Sequence, residues 1–131
     1  MVKRMRRQLA MAGVALLAVF GMAFMAVPSA SAASGTISGN IQCFYGNNQV
    51  VGVWVDAENG TDGFASLTSD GMGGKNYSYT LSQTSKYTLH VGCSGTSSSW
   101  GSSMTSPKVN GNYYNWVCSY SYTMWYYCAL S

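Results

Sequence analysis

The sequence predicts an all-β fold, an antiparallel β-sandwich of about seven strands, stapled by disulfides and preceded by a cleaved signal peptide. Three observations predict it. Apolar and polar residues alternate with a period of two, most clearly in Val50–Ala57, as they do in a strand with one buried face. Clusters of Gly, Asn, Asp and Ser separate such segments at intervals of about 8–12 residues. All four cysteines follow a leader typical of export, and disulfides form in exported proteins.

Residues 1–32 have the three parts of a secretory signal peptide. Four Lys and Arg residues lie within positions 1–7, an apolar run follows over 9–27, and Ala30-Ser31-Ala32 matches a cleavage site. The competing interpretation is a membrane anchor, since the run is just long enough to span a bilayer. It is disfavoured because the run is mostly Ala, Gly and Met and ends in proline before the small residues.

Removing residues 1–32 changes the charge of the chain. Four of the seven basic residues lie in that segment, so residues 33–131 carry three lysines and four carboxylates, a net charge of −1. Nucleic-acid binding depends on neutralising phosphates with a basic patch, and anionic lipid surfaces are bound by polybasic segments. We therefore expect one secreted domain with no nucleic-acid partner and no membrane partner after cleavage.

The strands follow in order, each bounded by turn residues. Residues 36–45 alternate apolar with polar side chains, and Gly46-Asn47-Asn48 supply a turn because Gly and Asn accept positive φ. In Val50–Ala57, we expect Trp54 to face away from the core and one set of alternate residues to face it: Val51, Val53, Val55 and Ala57. The remaining predicted strands are 64–68, 75–81 and 86–93, with a turn at 58–63 and a flexible loop at 69–74.

Four cysteines allow three disulfide pairings. Cys43 and Cys93 both lie on the apolar side of their strands, so they can meet in the core, and we favour Cys43–Cys93 together with Cys118–Cys128. In the loop-entropy account these bridges contribute about 4 and about 3 kcal/mol, because they close loops of about 50 and about 11 residues.

The last third of the chain is predicted to hold a loop and a hairpin. Residues 95–111 are mostly Ser, Thr, Gly and Asn around Trp100, which is typical of a long polar loop. Residues 112–131 are predicted to form an aromatic-rich C-terminal hairpin. Its connection, Ser121-Tyr122-Thr123, lacks Gly and Asn and is expected to be looser than a tight turn. Three pairs are expected to face each other in this hairpin: Trp116 with Leu130, Cys118 with Cys128, and Tyr120 with Tyr126.

Four motifs in order resemble the carboxypeptidase-regulatory-like domain, a transthyretin-like β-sandwich. They are Gly35-Thr36-Ile37-Ser38-Gly39-Asn40-Ile41, Val51-Gly52-Val53-x-Val55-x-Ala57-x-x-Gly60, Tyr77-x-Tyr79-x-Leu81 and Tyr87-x-Leu89-x-Val91. The resemblance covers residues 35–91 and implies a non-catalytic accessory or binding fold without an active site. The chain departs from the family at Ser85-Lys86, where the family has a glycine before the final tyrosine, and in its cysteines and aromatic tail. The segment 91–100 is also similar to small exported actinobacterial proteins of unknown function.

The sequence predicts no enzyme, metal or cofactor. His90 is the single histidine, and no Gly-x-Ser-x-Gly motif accompanies it, so we expect no catalytic residues. Asp56, Glu58 and Asp62 offer oxygen ligands near one turn, but their spacing is not that of a calcium loop, and we expect a solvated acidic turn. We expect no zinc site, because one histidine and oxidised cysteines cannot supply the ligands that zinc needs.

The aromatic residues are the candidate binding surface. A domain of this size cannot bury every ring of the tail, and exposed rings with a polar edge suit stacking on sugars or anchoring in a partner. The alternative is that the tail folds over the sandwich edge and hides its rings. The predicted binding residues are Trp54, Trp100, Tyr113, Trp125 and Tyr127.

These observations favour a secreted, non-catalytic binding or surface-interaction module that contacts polysaccharide or cell-envelope material. The main alternative is a small inhibitor of an extracellular hydrolase, such as an amylase or protease. A rigid loop of the inhibitor would lower the entropic cost of binding. Such a loop is expected at 95–111 or 119–123. A third hypothesis is a structural surface protein that assembles through its Tyr-rich strands.

Overall fold

The structure, a computed structural model, describes residues 33–123 and 125–131. The predicted signal peptide, residues 1–32, lies outside the described residues. The described part of the chain is all-β, as predicted, and contains no helix long and apolar enough to cross a membrane. Its nine strands are β1 (Ala33–Phe44), β2 (Val50–Ala57), β3 (Gly63–Phe64), β4 (Ser66–Ser69), β5 (Lys75–Ser85), β6 (Tyr87–Thr96), β7 (Ser99–Thr105), β8 (Trp116–Ser121) and β9 (Trp125–Leu130).

The predicted seven-stranded sandwich is wrong in its architecture. All nine described strands belong to one sheet, in the order β3-β2-β6-β7-β9-β8-β1-β5-β4. The first and last strands of that order are joined in the chain by Ala65 alone, so the sheet curls into a nearly closed barrel. A barrel and a sandwich both bury one face of every strand, so alternation cannot distinguish them.

The C-terminal hairpin becomes part of the barrel wall. β8 and β9 pair antiparallel with the three predicted facing pairs, including Cys118 with Cys128. β8 also runs parallel to β1, with Cys118 level with Cys43, and β9 touches β7 where Thr105 meets Tyr127. The hairpin therefore fills the gap between β7 and β1 rather than covering a sandwich edge.

The core lies inside the curled sheet and contains both predicted disulfides. Cys43–Cys93 joins β1 to β6, which are not neighbours in the sheet, and Cys118–Cys128 joins β8 to β9. All four cysteines are buried. The largest fully buried side chains around them are Trp116, Tyr77, Tyr87, Ile37, Ile41, Leu89 and Met104.

Two local predictions are wrong. The segment 95–111 is not a long loop, because β7 occupies Ser99–Thr105 and pairs antiparallel with β6. Val51 does not face the core: the register of β2 against β6 shifts between Val50 and Gly52, and this bulge turns Val50 inward instead. A bulge adds one residue to a strand, so it reverses the alternation on one side of itself.

Two buried tyrosines fasten the segment between β7 and β8 to the barrel. Tyr77 Oη donates to the Tyr114 carbonyl oxygen (2.9 Å), and Tyr87 Oη donates to the Gly111 carbonyl oxygen (2.7 Å). Burial raises the pKa of Tyr77 to about 12 and also raises the pKa of Tyr87. Each hydroxyl therefore uses its proton in a bond to the backbone of this segment.

Candidate binding surfaces

One row of side chains crosses the outer surface of the barrel at a single level. Each member is the registered partner of the next on the neighbouring strand. Registered neighbours on adjacent strands lie about 5 Å apart. The outward row is Phe64, Trp54, His90, Thr105, Tyr127, Ser119 and Phe44.

The alternation of each strand turns this row outward. Trp54 lies between two fully buried valines of β2, and His90 lies between two fully buried residues of β6. Tyr127 precedes the buried Cys128 of β9. Since successive side chains point to opposite faces of a sheet, these three point away from the core. Tyr127, Trp54 and His90 are half-buried, whereas Phe44 and Phe64 at the ends of the row are exposed.

An aromatic ridge lies at one end of the row. It consists of two members of the row, Trp54 and Phe64, together with Trp100. The Phe64 ring lies 4.8 Å from the Trp54 ring and 6.4 Å from the Trp100 ring, measured between centroids. It stands nearly perpendicular to both indoles, at 80° and 79°. Such edge-to-face contacts are favourable, but the three rings do not make one flat platform.

Trp100 reaches the ridge because two glycines make room for it. Its indole lies over Gly52 and Gly92, which face each other on β2 and β6. A Cβ at Gly52 would come within 2.6 Å of the indole, and one at Gly92 would overlap it. The backbone at Ser94 and Gly95 is in the left-handed region (φ 65° and 83°), which bends the β6–β7 hairpin. Trp100 of β7 can thus lie across β6 and contact β2.

His90 sits in the middle of the outward row between two polar side chains. Its Nε2 is 3.5 Å from Asp56 Oδ2, and its Nδ1 is 3.3 Å from Thr105 Oγ1. The neighbouring backbone groups are engaged in strand pairing. Both ring nitrogens of His90 therefore have partners on neighbouring positions, whereas the Asp56 and Thr105 oxygens have further acceptor capacity for a ligand lying along the row.

The three carboxylates considered as calcium ligands have separate partners. Asp56 faces His90, Glu58 forms an ion pair with Lys108 (3.0 Å), and Asp62 Oδ1 accepts from the Ala57 amide (2.7 Å). The ion pair with Lys108 lowers the pKa of Glu58. Within the described residues no group of three or more His, Cys, Asp and Glu side chains could hold a metal ion.

A second aromatic surface lies at the tip of the β8–β9 hairpin. Tyr45, Tyr120 and Tyr126 are in mutual ring contact, and the hydroxyls of Tyr45 and Tyr126 are 3.0 Å apart. Tyr122 and Trp125 contact Tyr120 from the tip and are 91% and 67% exposed. We call these five residues the tip cluster. Trp125 has φ 57°, a left-handed conformation that is rare for a bulky residue.

The structure divides the five predicted binding residues among four places. Trp54 and Tyr127 belong to the outward row, and Trp100 lies beside it in the ridge. Trp125 belongs to the tip cluster. Tyr113 is exposed on the segment that bridges to Ser38 and lies in none of these groups.

The sequence reasoning missed Phe64 and the tyrosines of the tip cluster. Phe64 shares its alternation with Ser66 and Thr68, opposite Ala65 and Leu67, and that pattern marks it as outward. Tyr45, Tyr120 and Tyr126 have the same alternation as the buried cysteines of their strands, which predicts burial. They lie beyond the end of the core, so alternation alone could not show their exposure.

Comparison with protein-family models, with curated proteins and with solved structures gives no match. The resemblance to the carboxypeptidase-regulatory-like domain therefore stays a prediction, and the function is argued from the chain's own surfaces.

Proposed function

We propose that this protein is an extracellular, non-catalytic binding module whose outward row contacts a neutral polysaccharide. The observation that carries the proposal is the row itself. Its rings offer apolar faces, and Thr105 and Ser119 offer hydroxyl groups at the same level. Two disulfides in a small domain are typical of oxidising compartments, which supports an extracellular location.

The spacing and charge of the row suit a chain of sugars. Trp54 and Tyr127 are separated by three strand-to-strand steps, about 14 Å along the curved sheet at the usual strand spacing. A polymer that follows the curved surface across the strands would meet an aromatic ring, two polar side chains and a second ring. Asp56 faces His90 in the row, and Lys108 is paired with Glu58 outside it. The Asp56 carboxylate would repel an anionic polymer.

Replacing Trp54 or Tyr127 by alanine is expected to weaken retention on the bound polysaccharide about tenfold, the loss typical of a central aromatic contact. The measurement is a pull-down of the refolded protein, residues 33–131, on insoluble cellulose, chitin, starch and purified cell wall. Tyr113→Ala is the matched control, because it removes an exposed ring that lies outside the row.

Thermal unfolding of each variant shows whether weaker retention comes from the missing side-chain contact or from a domain that no longer folds. Trp54 is half-buried against Phe64, so its variant needs this check more than the Tyr127 variant does. Retention of the native chain on none of the four polymers would contradict the proposal. Equal losses in the row variants and in Tyr113→Ala would contradict the assignment to the outward row.

The tip cluster supports a second candidate function, inhibition of an extracellular hydrolase. The hairpin is braced by Cys118–Cys128 and presents Tyr122 and Trp125 to solvent. A hairpin restrained by a disulfide loses less freedom on entering a partner's cleft than an unrestrained loop does. Residues in sparsely populated backbone conformations, as Trp125 is, often occur at functional sites.

For this candidate, the native chain is expected to inhibit a secreted amylase or protease, and Trp125→Ala to weaken inhibition at least tenfold. Trp54→Ala is the control on the other surface and is expected to leave inhibition unchanged. An inhibition constant that responds to Trp54→Ala instead of Trp125→Ala would rule out the tip cluster as the inhibitory surface.

A further inference from the structure

The tip cluster brings together two phenol hydroxyls from distant parts of the chain. Tyr45 follows β1, and Tyr126 lies in β9, 81 residues later. Their hydroxyl oxygens are 3.0 Å apart, and their ring centroids are 5.1 Å apart with the rings at 81° to each other. The two side chains are 37% and 40% exposed, so both phenols are in contact with each other and open to solvent.

We propose that Tyr45 and Tyr126 are a site of oxidative cross-linking, joined as dityrosine by an extracellular haem peroxidase that uses hydrogen peroxide. Each phenol first loses one electron and its hydroxyl proton, which gives a phenoxyl radical. The two radicals form a bond between ring carbons next to the hydroxyls, and the hydrogen on each of those carbons moves to the oxygen. The two electrons and two protons lost overall reduce one hydrogen peroxide to two waters.

The hydroxyl contact is what selects this pair within the tip cluster. Coupling takes place at carbons beside the hydroxyl, so the distance between hydroxyls matters more than the distance between ring centroids. Tyr120 is also 5.1 Å from Tyr126 between centroids, but among the described residues the tyrosine hydroxyls in hydrogen-bond contact within the cluster are those of Tyr45 and Tyr126. This hydrogen bond raises the pKa of Tyr126, so at neutral pH that phenol loses its proton only together with its electron.

Tyr122 gives an oxidant access to the pair. It is 91% exposed at the end of the hairpin, and its ring centroid is 5.7 Å from that of Tyr120. Tyr120 in turn contacts Tyr45 (6.1 Å) and Tyr126 (5.1 Å). Rings in contact exchange electrons readily, so a radical formed at Tyr122 can be filled by an electron from the pair. The oxidant therefore does not need to reach Tyr45 itself.

The test treats the disulfide-bonded chain, residues 33–131, with a plant haem peroxidase and hydrogen peroxide at low micromolar protein concentration. The expected product is a monomer that is lighter by two hydrogen atoms and has the fluorescence of dityrosine. Trypsin locates the bond after the disulfides are reduced. Tyr45 is the single tyrosine of peptide 33–75, so a covalent link from that peptide to peptide 109–131, which contains Tyr126, identifies the site.

Tyr45→Phe keeps the ring in the cluster and removes its hydroxyl. It is expected to lower the yield of the monomeric cross-link about tenfold or more, because holding the reacting groups in contact supplies the rate advantage of an intramolecular step. Tyr113→Phe is the matched control, since it removes an exposed phenol outside the tip cluster, and it is expected to leave the yield unchanged. Thermal unfolding of both variants before oxidation confirms that they are folded.

Three results would overturn the proposal. The first is a digest in which peptides 33–75 and 109–131 are not linked, and the second is an equal yield from Tyr45→Phe and the native chain. The third is a product made mainly of covalent dimers, which would show that the exposed Tyr122 couples between copies instead. The test requires neither a polysaccharide nor a hydrolase, so its outcome is independent of both candidate functions.

Discussion

Replacing Cys43 and Cys93 together by alanine is expected to lower the free energy of unfolding by about 4 kcal/mol. The bridge closes a loop of 50 residues between β1 and β6, so its removal frees the unfolded chain to adopt many more conformations. A domain of this size is stable by only about 5–15 kcal/mol in total. The double variant should therefore lose a large part of its stability, seen as a lower urea midpoint of unfolding.

The matched control is the double alanine variant of Cys118 and Cys128. Its bridge spans 10 residues within one hairpin, so the same reasoning gives a cost of about 3 kcal/mol. Both cysteine pairs are buried, so the loss of side-chain packing is comparable. A larger loss in the hairpin variant than in the Cys43 and Cys93 variant would show that loop closure does not determine the stabilisation.

Much of the fold could be predicted because a strand with one buried face leaves a readable pattern. Alternation places Cys43 and Cys93 in the core, and both disulfides are present in the structure as predicted. The hairpin register of Tyr120 with Tyr126 follows from the same pattern together with the facing cysteines. In each case the prediction rests on neighbours within a strand or across one turn.

The arrangement of strands into one nearly closed sheet could not be predicted in this way. The parallel pairing of β1 with β8 joins segments far apart in sequence, and alternation carries no information on which strands are neighbours. The β7 strand could not be recognised from the sequence, because its residues, apart from Trp100 and Met104, are Ser, Thr and Gly. Such residues have the composition of a loop, and here strand pairing with β6 overrides that tendency.

The candidate surfaces, too, could be predicted only in part, because they depend on which strands are neighbours. Alternation predicts that Trp54 and Tyr127 point outward, but only the sheet order places them in one row with His90 and Thr105 between them. The position of Trp100 depends on the absence of side chains at Gly52 and Gly92, which become neighbours through the pairing of β2 with β6. A site made by several strands therefore needs the topology before it can be recognised.

Gly39→Ala is expected to destabilise the protein by about 3 kcal/mol, at the upper end of the cost of overpacking. A Cβ at Gly39 would overlap the carbonyl oxygen of Tyr114, which is backbone and cannot rotate away. That oxygen accepts the hydrogen bond from Tyr77 Oη (2.9 Å), and the Tyr114 amide donates to the Ser38 carbonyl oxygen (3.1 Å). Moving the segment breaks both bonds and leaves the buried Tyr77 hydroxyl without its acceptor.

Gly35→Ala is the control that separates steric overlap from backbone conformation. Gly35 lies on the same strand with φ 72°, and a Cβ there would meet nothing within 4 Å. Its variant is expected to cost about 1 kcal/mol, from the left-handed backbone alone. Urea unfolding of both variants measures the difference, and equal midpoints would contradict the close approach of Tyr114. Because the segment at Tyr114 lies apart from the outward row, polysaccharide retention by folded Gly39→Ala should match that of the native chain.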